Sequence, residues 1–443
     1  MYFMSSLYLN NRFFVAVGIL VFLCMLGFAY SIWFAIAQVA LLVFMVLVAV
    51  DIFMLYRYKK GILGRRDTAE KLSNGDENPV SIHLENHYPF FVALRVIDEL
   101  PVQLQIRNHD IRTSLPSNTA KTLTYQLHPV KRGEYSFGAL NVFVSTIFGF
   151  AGRRYRFDQD KMVPVYPSYL QMRQFELMAI SNRLTELGIK KIRKIGQNRE
   201  FEQVKEYVSG DDIRTVNWKA TARRNNLMVN HYQDEKSQAV YSVIDKGRVM
   251  KMPFEGMSLL DYAINASLVI SNIAIIKEDK AGIITFSNKV GTILPASKVH
   301  SHMRSVLETL YNQKTGFKES NFDSLYIQIK RHVKGRSLIL LYTNFETLAA
   351  LERQLPYLQR IAYNHVLVII FFENTELKDL LEKPATNTEE IYLKTIAEKF
   401  AFEKKQIVKE LTRHGIHAVL TTPKNLTINT INKYLELKAR GMI

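Results

Sequence analysis

From Phe13 to Val50 the chain carries no charged side chain. FFVAVGILVFLCMLGFAYS is one apolar block and WFAIAQVALLVFMVLVAVDIFMLY a second, with a weak break near Tyr30, Ser31 and Trp33. A helix rises about 1.5 Å per residue, so roughly 20 residues cross a hydrocarbon core of ~30 Å. The stretch is about twice that length and predicts two spans, about residues 13–31 and 33–56. A cleaved signal peptide would need a shorter apolar core and a small-residue cleavage site, and the second block argues against it. Arg12 precedes the first span, and Arg57, Lys59, Lys60, Arg65 and Arg66 follow the second, while the connecting turn has no cation. The positive-inside rule then places both termini in the cytoplasm. The expectation is a multi-pass protein of the cell inner membrane, with residues 1–66 as a transmembrane hairpin.

The texture changes after Arg66. PVSIHLEN, VALRVIDEL, VQLQIR, KTLTYQLHPV and LNVFVST alternate apolar and polar positions between turn signals such as Asn74-Gly75 and Arg132-Gly133. Short strands at near-regular spacing predict a β-sandwich, Ig-like, over residues 67–165. Residues 166–238 read as a basic connector with Lys190, Lys191, Arg193, Lys194 and Arg199, then Lys219, Arg223 and Arg224.

From Ala239 to the end, 239–443, strand and helix alternate. VYSVID, KAGIITFS, SLILLYT, HVLVIIFFE and IHAVLTT are nearly all-apolar strands, and the segments between them have helical periodicity. That pattern predicts a mostly parallel, doubly wound α/β sheet covered on both faces. The longest helix, from Asn387, is expected to end at Gly415. The whole is thus a multi-domain membrane protein: a two-helix hairpin, a β-sandwich and a C-terminal α/β domain.

Charge and cysteine content narrow the chemistry. A formal net charge of +17 over 443 residues favours an anionic neighbour, such as lipid headgroups, nucleic acid or an acidic protein. The single cysteine, Cys24, allows no internal disulfide and no cysteine-based zinc site. No helix-turn-helix, zinc-finger or RNA-binding signature accompanies the basic stretch, which speaks against nucleic acid. The phosphate-loop, zinc-helix and nucleophile-elbow patterns are absent from the sequence.

The most distinctive segment runs from Glu200 to Glu235. Gly210 permits a tight turn, and Asp211 or Asp212 is placed to accept backbone N–H groups at a helix start near Ile213 to Asn217. Arg214 and Arg223 are expected to pair with those acids or with Glu206, and Trp218 to serve as a large buried anchor. The bland account is a structural latch; the sharper one is a docking surface. Glu206-Tyr207, Gly210-Asp211-Asp212, Arg214, Trp218-Lys219-Ala220 and Ala222-Arg223 together resemble the motif of the family called domain of unknown function 58. Lys205 stands where the family usually has arginine. The resemblance implies that the α/β part looks like a von Willebrand factor A domain. It also implies association with MoxR-type AAA+ ATPases, with related von Willebrand A membrane proteins as neighbours.

Asp245 ends the first α/β strand, where open sheets of this kind bind ligands. A metal-binding von Willebrand A domain carries Asp-x-Ser-x-Ser at this turn. Here Gly247 and Val249 take the serine places and Lys246 and Arg248 stand between them. Ser320 or Asn321 would have to supply the later hydroxyl or carbonyl, and Asn344 replaces the last acid. Hard cations want oxygen ligands with charge, so a degenerate site without metal is expected, with Asp245 bonded to its own loop or to Lys246 or Arg248. The resulting expectation is a non-enzymatic, membrane-anchored scaffold without cofactor, touching lipid and adapting a MoxR-type ATPase. The alternatives are a metal-dependent hydrolase using Asp211, Asp212 or Asp245, and a nucleic-acid or anionic-lipid binder using the basic connector.

Overall fold

The charge-free stretch folds as helices α1 (Asn11–Ala29) and α2 (Ser31–Arg57), in a computed structural model that describes residues 5–106, 109–180, 199–209, 211, 213–234, 237–316, 318–374, 377, 380, 381, 384 and 387–443. Only Tyr30, in extended conformation, separates the helices, so they fold back on each other. Gly27 permits the close approach: a Cβ there would stand 2.9 Å from the Phe34 backbone. Both helices are long and apolar enough to cross a membrane. A third helix meets that test by composition, but 89% of its window is buried, and it is a core helix of the α/β part.

The chain divides into two compact units, Met1–Tyr166 and Pro167–Ile443. In the first, β1 (Leu7–Leu9) precedes α1 and pairs antiparallel with β10 (Ala151–Phe157). After α2 come β2 (Ile62–Thr68), β3 (Leu72–Ser73), β4 (Asn78–Asn86), β5 (Val92–Asp98), β6 (Asp110–Leu115), β7 (Ala120–Leu127), β8 (Gly133–Phe137), β9 (Leu140–Ser145) and, after β10, β11 (Lys161–Tyr166). They form a five-stranded sheet β1-β10-β9-β5-β6 and two three-stranded sheets, β2-β4-β7 and β3-β11-β8. Alternate residues of β4 are buried, Val80, Ile82 and Leu84 among them, as the pleat requires. The β-rich body therefore takes strands from both ends of the hairpin, and residues 7–9 and 62–66 belong to its sheets, not to the helical pair. Within VQLQIR, the described residues Val102 to Ile106 are not a strand. Val102–Leu104 form a single 3-10 turn behind Pro101, with Gln105 left-handed at φ 56°.

The hairpin is bolted to this body at the foot of α2. Asp51 is fully buried, and its carboxylate accepts the Thr146 hydroxyl and the N–H groups of Phe150 and Ala151, both at 2.9 Å. One turn on, Leu55 enters the sandwich core. Arg153 donates to the carbonyls of Leu55 and Tyr58 at 2.7 Å, which caps the helix C-terminus with a cation where the dipole favours one.

The second unit holds α3 (Tyr169–Ile180), the hairpin β12 (Arg199–Glu206) and β13 (Met228–Asp234), and between them α4 (Trp218–Arg224). The α/β part follows with β14 (Ala239–Asp245), the small hairpin β15 (Pro253–Phe254) and β16 (Met257–Ser258), α5 (Leu259–Ile276), β17 (Lys280–Phe286), β18 (Val290–Ser297), α6 (His302–Tyr311), α7 (Phe322–His332), β19 (Leu338–Tyr342), α8 (Leu348–Asn364), β20 (Val366–Phe372), α9 (Thr388–Arg413), β21 (His417–Thr421) and α10 (Leu426–Ala439). Their sheet runs β18-β17-β14-β19-β20-β21, all parallel except the edge strand β18. Sequence reading missed β18, whose residues are at most half-buried and lack the apolar run of the others. Helices α3, α5, α6 and α10 pack on one face and α7, α8 and α9 on the other. Gly415 closes α9 at φ 71°. The chain leaves β14 in one lateral direction and returns to β19 on its other side, so a crevice opens at the carboxyl ends of these two strands.

Candidate functional site

Alternation along β14 sends Val240 and Ile244 to one face and Tyr241, Val243 and Asp245 to the other. Asp245 stands at the crevice and is fully buried. Its Oδ1 accepts the Gly247 N–H at 2.7 Å and the Ser320 hydroxyl, and its Oδ2 accepts the Thr343 hydroxyl at 2.7 Å. Burial pushes the carboxyl's pKa up, and the three donors pull it partly back. Neither neighbouring cation pairs with it. Lys246 reaches Gln313 Oε1 at 3.0 Å, and burial lowers its pKa. Arg248 lies 3.8 Å from Glu319 with both side chains exposed, a contact worth little.

Above the strand ends is a cleft of about 190 Å³, lined by Asp245, Val249, Ser320, Asn344, Arg248 and Arg353 among others. Four of the five predicted site positions thus meet there. The fifth, Gly247, explains the arrangement: a Cβ built on it would overlap the Ser320 hydroxyl. Ser320 occupies the space in which a side chain at 247 would stand. Val249 packs on the apolar core, and the Asn344 side-chain oxygen is held by an ammonium, Lys404 Nζ, at 2.6 Å. These donors do not fit a divalent cation, which takes at least about six oxygen ligands. Among the described residues, no group of three or more His, Cys, Asp or Glu is placed to hold one.

Lys404 escaped the sequence reading. It lies on α9, far along the chain, and no motif marks it. Its Nζ also donates to the Phe345 carbonyl at 2.5 Å. Burial pushes its pKa down from 10.5 to about 8, and Glu346 opposes this. The unfolded chain then binds this proton more tightly than the folded one, so the group's contribution to stability rises with pH between about 8 and 10.5. Lys246 acts in the same sense. The melting midpoint of the α/β unit in the full chain is expected to rise across this window. Lys404→Met should flatten the rise; an unaltered slope would refute the assignment.

The motif segment forms the tip of the β12–β13 hairpin. Asp211 accepts Lys205 Nζ at 3.0 Å and the Val208 N–H at 3.1 Å, closing a local turn. It therefore pairs with Lys205. The N-cap is Asn217, whose side chain accepts the Ala220 N–H at 3.0 Å. Glu206 accepts the Asn226 amide at 3.4 Å, and the Tyr207 N–H bonds the Leu227 carbonyl. Gly210, Asp212 and the Arg214 side chain lie outside the described residues, as do Lys190, Lys191, Arg193 and Lys194. Trp218 corrects the expectation of a buried anchor: it is 71% exposed. Only Ala220 and Thr221 of α4 turn partly inward, so two turns of helix anchored by small residues leave the indole outside. Lys219, Arg223 and Arg224 border a shallow depression beside it.

Residues 203–378 match the family model described as "Protein of unknown function DUF58". This part of the chain is similar to that family. It takes in Asp211, Trp218, Asp245, Ser320 and Asn344, and leaves out Lys404. A curated relative, "Uncharacterized protein YeaD" of Bacillus subtilis (strain 168), is 25% identical over 264 residues, which is 58% of this chain. The chain spans 63% of that relative, less than two thirds of its length. Among solved structures, the conserved hypothetical protein BatB from Bacteroides thetaiotaomicron is 14% identical at a TM-score of 0.31, covering 46% of this chain and all of its own. The PapD-like domain 7 of human CEP192 is 16% identical at 0.18, covering 24% of this chain and 83% of its own. Likenesses at these scores carry no weight for fold or function.

Proposed function

We propose that this is a membrane-anchored interaction protein, with a von Willebrand A-like α/β domain whose metal position is closed and whose DUF58 motif is a docking surface. The observation that carries the reading is the pairing of a saturated carboxylate with a displayed indole. Asp245 is engaged by three internal donors, while Trp218 and its neighbouring cations face outward. Tryptophan and arginine at an exposed site are the residue types that dominate interface energetics. The sheet order and the placement of Asp245 at the switch point agree with the von Willebrand A-like reading. A MoxR-type AAA+ ATPase is the proposed partner, and the basic flanks of the hairpin support a cytoplasmic position for the body.

The test is binding of the purified ATPase to the full chain in detergent micelles. Trp218→Ala is expected to weaken binding at least about tenfold, as removal of a hot-spot aromatic does, with an unchanged melting midpoint. Full binding by the variant would refute the docking role.

A further inference from the structure

The loop between β9 and β10, Thr146-Ile147-Phe148-Gly149-Phe150, is tied to the foot of the helical hairpin from both sides. Asp51 of α2 holds Thr146 and the Phe150 N–H. From the start of α1, Arg12 Nη1 donates to the carbonyls of Ile147 and Phe148 at 3.2 and 3.4 Å, and Asn10 Nδ2 donates to the Gly149 carbonyl at 3.2 Å. Gly149 makes the turn at φ 69°. Phe150 packs edge-on against Phe44, with centroids 5.4 Å apart, and Phe44 in turn meets Phe13 at 5.4 Å. Both partners lie within the charge-free stretch.

Despite this anchoring, two of the loop's apolar side chains, Ile147 and Phe148, are exposed. Ile147 is 69% exposed and Phe148 40%. Their level is fixed by the helices. Counting about 20 residues, or ~30 Å, from the connecting turn brings α2 to its first charged residue, which is Asp51. Arg12, the first cation at the other leg, is at the same end. The exposed pair therefore sits where hydrocarbon gives way to headgroups. Exposed apolar side chains continuous with a membrane-crossing surface have the bilayer as their neighbour.

We infer that Ile147 and Phe148 form a lipid-inserted wedge, so that the β-sandwich is seated in the interfacial leaflet of the membrane its own hairpin crosses. This rests on α1 and α2 being spans, and the test separates the two ideas. The two native tryptophans, Trp33 and Trp218, allow single-tryptophan versions of the full chain: one keeping Trp33, and one with Trp33→Phe, Trp218→Phe and Phe148→Trp. Each is placed in vesicles of phosphatidylcholine and phosphatidylglycerol, with and without bromine near the top of the acyl chains. Bromolipid quenching of Trp33 reports the spans. With that quenching in hand, the Phe148→Trp emission is expected to shift to the blue, to be quenched by bromolipid, and to be shielded from aqueous acrylamide. Acrylamide quenching without bromolipid quenching would overturn the wedge and leave the spans standing. A blue-shifted emission that bromolipid does not touch would also overturn it, by showing a protein cover in place of lipid.

Discussion

Replacing Asp51 by alanine is expected to cost about 3–5 kcal/mol and to free the hairpin from the β-sandwich, because buried donors left without a partner cost about 1–3 kcal/mol each. Two of the donors are backbone N–H groups, of Phe150 and Ala151, which cannot turn away. The third, the Thr146 hydroxyl, can rotate. The position also lies at the end of a helix too apolar to find another partner for these groups. Asp51→Asn is a milder change. Its oxygen can still receive both N–H groups, and its amide can donate to the Thr146 oxygen, so only the charge-assisted strength is lost. The check is thermal unfolding of the full chain in detergent, with proteolysis between residues 57 and 62 as a readout of hinge opening. The expected order of stability is wild type, then asparagine, then alanine. An alanine variant as stable and as protease-resistant as wild type would show that the hairpin is held by packing alone.

Asp51 also shows where sequence reading stops. The two apolar helices were legible because nothing but length and the absence of charge decides them. The carboxylate's partners were not, since they lie about a hundred positions away and are mostly backbone atoms. The same holds for β1: three residues ahead of α1 look like a leader to the span, and only the exposed edge of β10 makes them a strand. In the α/β part, the all-apolar strands named themselves, whereas the half-exposed β18 did not. Within the crevice, β14 announced Asp245, but Thr343 and Lys404 are brought there by the sheet order and by α9. Trp218 was misread for a different reason. Hydrophobicity predicts burial on average, yet a helix of 7 residues has too little surface to bury an indole unless a neighbouring element covers that face.

Asp245 separates a structural carboxylate from a reactive one by comparing two substitutions. Alanine removes the acceptor for the Gly247 N–H, which is fixed in space, and for the Ser320 and Thr343 hydroxyls. The expected loss is about 2–4 kcal/mol, smaller than the sum of three unmade bonds because hydroxyls can find other partners. Asparagine is expected to be close to neutral or slightly stabilising. Its oxygen can receive the Gly247 N–H and the Ser320 hydroxyl, and its amide can donate to the Thr343 oxygen, while the cost of burying a charge disappears. The pH dependence carries the same information. Burial raises the folded carboxyl's pKa above its ordinary value of 3.8, so the folded state binds the proton more tightly than the unfolded chain. Stability from this group is therefore fully present below the unfolded value and is lost as pH rises through the folded one. Asp245→Asn should remove that decline, so the variant's advantage over wild type grows with pH across the acidic range and then levels. The measurement is chemical denaturation of the full chain in detergent at a series of pH values, reading the α/β unit. An asparagine variant as damaged as alanine, at every pH, would mean that the carboxylate's charge is needed for the fold, and would reopen a cation at this strand end.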